Sequence, residues 1–61
     1  MKTYTLTVFE KSGETLLDEN FEAKDDERAK ELGLKTLTEK GYEHKTYRCV
    51  SPDAKLLLFH R

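Results

Sequence analysis

Sixty-one residues, 38% of them charged and 36% hydrophobic, with a formal net charge of −1, make one small domain and exclude a second, since domains seldom run below about 50 residues. Folding at this size hides only roughly 60% of the unfolded surface, which allows one thin core between two layers but no large internal cofactor cavity. The apolar content at so small a net charge excludes a disordered chain, and no apolar run nears the ~20 residues that span a bilayer.

These properties predict a soluble, cytoplasmic protein with no membrane partner. The first 30 residues carry five cations against eight anions and the remaining 31 carry six against four. The chain is therefore mildly dipolar, and its pI near 6.1 lacks the basic excess of a general nucleic-acid binder, although a local basic patch in the second half is possible. The single cysteine, Cys49, has no partner for an internal disulfide or a metal knuckle, so packing must supply the stability.

Tyr4-Thr5-Leu6-Thr7-Val8 alternates apolar residues with threonine at period two, the pattern of a half-buried strand. Lys11-Ser12-Gly13-Glu14 reads as a turn with Gly13 free to take positive φ, and Leu16-Leu17 resumes the apolar pattern, which predicts a hairpin. With Ser12-Gly13 as a two-residue loop, Val8 faces Leu17 and Tyr4 faces Phe21 on one side, while Phe9 faces Leu16 on the other. Glu19 then lies opposite Leu6, which requires either a bulge near Asp18 or an edge position whose charge reaches solvent.

From Ala23 the period becomes helical. Asp25 is the expected N-cap, Asp26 and Glu27 suit the positive end of the helix dipole, and Ala29, Leu32, Gly33, Thr36 and Leu37 form one stripe that ends at Lys40-Gly41. Gly33 on that stripe points to a close approach of helix and sheet.

Tyr42 to Val50, the turn Ser51-Pro52-Asp53-Ala54 and the run Leu56-Leu57-Leu58-Phe59 predict a second hairpin. A four-residue loop pairs Cys49 with Leu56 and Tyr47 with Leu58 on one face, and Arg48 with Leu57 and Thr46 with Phe59 on the other. The expected fold is α+β, in the order ββαββ: a four-stranded sheet of two hairpins with one helix packed on one face. The unbroken apolar run of the last strand suggests a central place for it and strand order 2-1-4-3.

The segments Thr7-Val8-Phe9-Glu10-Lys11-Ser12-Gly13-Glu14, Leu16-Leu17-Asp18-Glu19, Phe21-Glu22-Ala23 and Arg48-Cys49-Val50-Ser51-Pro52-Asp53, with Leu56-Leu57-Leu58-Phe59-His60-Arg61, resemble the YhzD-like family of small bacterial proteins. The resemblance covers most of the chain, the helix in character more than in letters. It implies a cytosolic bacterial protein of unknown function and transfers no catalytic or binding residue.

The residues themselves suggest little catalytic chemistry, and the expectation is a protein that is not an enzyme. His44, Cys49 and His60 are the soft or borderline metal ligands apart from Met1, but in the expected register the two histidines point to opposite faces, so no metal and no other cofactor is expected. Cys49 adjoins neither a base nor a helix N-terminus and reads as an inert core thiol. Asp18-Glu19 and Asp25-Asp26-Glu27 are adjacent carboxylates, which diverge on strands and helices.

A lone helix covers one sheet face, and the register leaves Phe9, Leu16, Val50, Leu57 and Phe59 on the other, with Arg48 among them. An apolar patch of that kind marks a contact surface, for a homodimer or an unidentified protein partner. The competing expectation is that a shifted register, bulges or long side chains such as Arg48 and Lys55 cover these residues. The alternative function is single-stranded nucleic-acid binding, with Phe9 and Phe59 stacking on bases and Lys45, Arg48, Lys55 and Arg61 on phosphates.

Overall fold

The computed structural model describes residues 1–61. Strand β1 (Lys2–Phe9) and β2 (Thr15–Ala23) form the first hairpin, helix α1 (Asp26–Lys40) follows, and β3 (Thr46–Val50) and β4 (Leu56–His60) form the second. The ββαββ order is as the periodicities dictate. All neighbouring strands are antiparallel, in the order β2-β1-β3-β4.

The inner positions of β1, Tyr4, Leu6 and Val8, are fully buried, together with Cys49 on β3 and Ala29 and Leu37 on α1. Complete burial of a side chain such as Leu6, Val8 or Leu37 stabilises the fold by about 1.5–3 kcal/mol. Leu17, Phe21, Tyr47 and Leu58 pack around this centre from the same sheet face. Only Ala29, Gly33 and Leu37 of the expected helical stripe are buried, while Leu32 and Leu34 are exposed. A Cβ on Gly33 would lie 3.1 Å from Leu58 Cδ1 and 3.8 Å from Cys49 Sγ, so this glycine sets how closely helix and sheet approach.

Asp25 caps the helix, its carboxylate accepting the Arg28 amide at 2.9 Å. Gly41, at φ 74°, ends it. The Tyr42 amide then returns to the Leu37 carbonyl at 2.8 Å, and the Tyr42 ring packs on the cluster that contains Leu37, the hydrophobic closure that accompanies such a C-terminus. Residues 42–45 turn rather than extend, the Lys45 amide donating to the Tyr42 carbonyl, so β3 is shorter than expected.

The two hairpins are built alike. In the first, the Gly13 amide donates to the Glu10 carbonyl at 2.9 Å and the Glu10 amide to the Glu14 carbonyl at 2.7 Å; in the second, Ala54 donates to Ser51 at 3.0 Å and Ser51 to Lys55 at 2.9 Å. Each loop thus has three residues and closes on a positive φ, 92° at Gly13 and 65° at Ala54, as three-residue hairpins do. Expected loops of two and four residues are both corrected. Three residues beyond each positive φ the register shifts, leaving Leu16 in β2 and Leu57 in β4 without a direct partner. An extra residue reverses the inward-outward alternation, so both members of Leu16-Leu17 and of Leu57-Leu58 turn toward the helix side and pack on its clusters.

Three further expectations change accordingly. Phe9 pairs with Thr15 instead of Leu16. In the second hairpin Cys49 pairs with Leu58, Tyr47 with His60 and Arg48 with Phe59. Strand β4 lies at the sheet edge, and the order 2-1-4-3 is overturned, because its unbroken apolar run reflects the bulge at Leu57 and not burial on two sides. Leu6 does face Glu19; Glu19 stays exposed because β2 is the other edge, and the irregularity of that strand lies at Leu16 and not at Asp18.

Candidate interaction surface

Beyond the helix side, the sheet presents an outer face that no element covers. Its first-hairpin half is polar. Thr3, Thr5 and Thr7 on β1 pair with Glu22, Asn20 and Asp18 on β2, and the Thr5 hydroxyl donates to Asn20 Oδ1 at 2.9 Å. Its second-hairpin half is apolar. Val50 pairs with Leu56 and, two pairs along, Arg48 with Phe59, so these four form a block at the β3-β4 end. Leu56 is 53% and Phe59 57% exposed. The Arg48 guanidinium lies 5.5 Å from the centroid of the Phe9 ring, a cation-π contact that draws Phe9 toward the block.

Of the six residues singled out from the sequence, the structure brings Phe9, Arg48, Val50 and Phe59 together and places Leu16 and Leu57 against the inner clusters. Leu56, expected on the inner face, takes the outer position instead. The exchange of Leu56 for Leu57 follows from the bulge alone. The two Leu-Leu doublets, each just past a turn, were the sequence signal for it.

The family-model comparison matches residues 1–61 to the YhzD-like protein family. The chain belongs to the YhzD-like family. A curated relative, the Uncharacterized protein YhzD of Bacillus subtilis (strain 168), is 49% identical over 61 residues, covering 100% of both chains. No solved structure matches. No helix of this YhzD-like chain is long and apolar enough to cross a membrane.

Two polar clusters at opposite ends of the second hairpin hold the block in place. At the loop end, the fully buried Tyr4 donates its hydroxyl to Asp26 Oδ1 at 2.7 Å, and Lys55 Nζ stands 3.5 Å from Asp26 Oδ2. Burial, followed by the hydrogen bond to Asp26, pushes the Tyr4 phenol up to about 12. The same hydrogen bond, followed by the nearby Lys55 charge, holds the Asp26 carboxyl below its ordinary range. Ser51, buried, donates to Asp53 and accepts the Lys55 amide at 2.9 Å, which keeps the Asp53 carboxyl low as well.

At the other end, Lys45 Nζ meets both oxygens of Glu10, at 2.9 and 3.2 Å, and this hydrogen-bonded pairing lowers the Glu10 carboxyl. The pair sits in an open cleft of about 340 Å³ that is also lined by Lys11, His44 and Arg61. The His60 ring stacks on Tyr47 with centroids 5.4 Å apart, and its Nδ1 lies 2.9 Å from the Lys45 carbonyl. The Tyr4–Asp26 and Glu10–Lys45 contacts join residues 22 and 35 positions apart, and no local pattern in the sequence marks them.

Cys49 lies in the core with no exposed surface, and burial raises its thiol. A raised thiol has little thiolate at neutral pH and is a poor nucleophile. His44 is exposed, and no group of three or more His, Cys, Asp or Glu side chains gathers as a metal would need.

Proposed function

We propose that this chain is a non-catalytic protein-interaction module that associates through the outer face of its second hairpin. The observation that carries this reading is the exposure of Leu56 and Phe59, each more than half open, beside Val50 and Arg48 on a sheet face without a covering element. An apolar side chain held out of the core on both strands of one hairpin contributes little to folding, and contiguous apolar surface on a small chain is the usual material of a contact surface.

Single-stranded nucleic acid is a weaker occupant. Of the four cations that would contact phosphates, Lys45 is paired with Glu10, Lys55 faces Asp26 and Arg48 lies over Phe9.

The test is sedimentation of wild type and of the Leu56→Ser/Phe59→Ser variant at the highest concentration each reaches. The expected result is a wild type that associates and a double variant that does not, with an unchanged melting temperature. Undiminished association in the variant, or loss of its fold, contradicts the proposal.

A further inference from the structure

The two free edges of this sheet differ in kind. Strand β2 carries Asp18, Glu19 and Glu22, all exposed, and no cation. Strand β4 carries no Asp, Glu, Lys or Arg and is flanked by Lys55 and Arg61, without a carboxylate and without the proline or inward charge that usually blunts an edge. One edge is acidic and the other is basic at its ends and apolar between them.

The strand directions fit as well. Since β4 is parallel to β1 and β1 is antiparallel to β2, a second copy carried along the sheet by translation presents its β2 antiparallel to β4 of the first, with both helices on the same side. If Leu57 remains the extra residue in that pairing, Arg61 falls opposite Asp18, His60 opposite Glu19, Phe59 opposite Asn20, Leu58 opposite Phe21 and Leu56 opposite Glu22. Every pair then matches inner face with inner face and outer with outer, the condition for strands to join without reversing their side chains.

We infer that the partner of β4 is the β2 edge of a second copy of this chain, a head-to-tail seam between two unlike edges. This goes beyond the interaction reading above, since it uses the two strand edges and not the outer face. The seam carries an ion pair at its Arg61–Asp18 end and leaves an unlike edge free on each side, so it grows as an open series and does not stop at a dimer. A two-fold contact of β4 with β4 would set Lys55 and Arg61 of both copies along one seam and would tighten as salt screens them.

The test uses the full chain in sedimentation velocity at low salt across a concentration series, with circular dichroism confirming that the variants, both at exposed positions, keep the fold. Wild type is expected to pass beyond dimer as concentration rises and to return toward monomer in about 1 M NaCl, where the screening length is about 3 Å. Asp18→Lys and Arg61→Glu each weaken association roughly tenfold by turning an attraction into a repulsion, and the double variant Asp18→Lys/Arg61→Glu restores it. Mixing the two single variants restores association beyond dimer, because in an alternating series every seam pairs a cation with a carboxylate, whereas neither variant associates well with itself.

A dimer that is insensitive to Asp18→Lys and strengthened by salt overturns the inference, and so does a strict monomer at all concentrations. If Leu56→Ser/Phe59→Ser abolishes association while the charge variants do not alter it, the outer-face reading stands and the head-to-tail seam falls. The reverse pattern retains the seam and removes the outer-face reading.

Discussion

Tyr4 and Asp26 form the contact on which the helix start depends, because one hydrogen bond at 2.7 Å ties β1 to the first turn of α1. Its two members titrate at opposite ends of the pH scale. The folded value of Asp26 lies below its ordinary 3.8, so its contribution to stability is complete above that value and is lost as pH falls through the folded one. Tyr4 moves from 10.0 to about 12, so its contribution is complete below pH 10 and is lost as pH rises toward 12. Tyr4→Phe removes the donor, and Asp26 is expected to titrate closer to its ordinary value, as a carboxyl-resolved NMR titration will show; an unmoved Asp26 contradicts the assignment. Cys49 is the second informative residue. Cys49→Ser places a hydroxyl in the core and is expected to lose about 1–3 kcal/mol of stability, measured by denaturant unfolding. Native Cys49 should react with an alkylating agent only as fast as the fold opens, and rapid labelling of the folded protein contradicts its placement.

The hairpins are where the sequence was most legible and also where it misled. Alternation in residues 4–8, the caps Asp25 and Gly41, and the change of period after Ala23 mark both hairpins and the helix, because each is written in neighbouring residues. Loop length was less legible. Gly13 marks a positive φ for a reader, but Ala54 does not, since an alanine in the left-handed region costs roughly 1–2 kcal/mol and is seldom expected there. Once the loops are seen to have three residues, the bulges at Leu16 and Leu57 follow, and with them the side to which every later residue of β2 and β4 turns. Ala54→Gly is therefore expected to stabilise the protein by about 1 kcal/mol, raising its denaturation midpoint, with the Gly13 loop unchanged. A loss of stability would show that the Ala54 backbone is not in the left-handed region.

At the scale of the whole molecule, the one-helix, one-sheet architecture follows from element order, but strand order does not. Whether β3 or β4 lies against β1 depends on tertiary pairing, and the apolar run in residues 56–59 pointed to the wrong strand. The composition of the outer face was legible in outline, since Phe9, Arg48, Val50 and Phe59 do share it. The expected sides of Leu16, Leu56 and Leu57 were wrong, because there the bulges decide. A chain of this size cannot cover both faces of its own sheet with a single 15-residue helix, and the apolar block at the β3-β4 end is what that geometry leaves over. Relaxation of side-chain NMR signals by a soluble paramagnetic probe, recorded at low and then at high protein concentration, tests this most directly. In dilute solution Leu56 and Phe59 are expected to be strongly relaxed while Leu16, Leu57 and Leu58 are spared, and at high concentration Leu56 and Phe59 become shielded. Leu56 and Phe59 already shielded in the dilute monomer, or relaxed equally at both concentrations, would contradict the account.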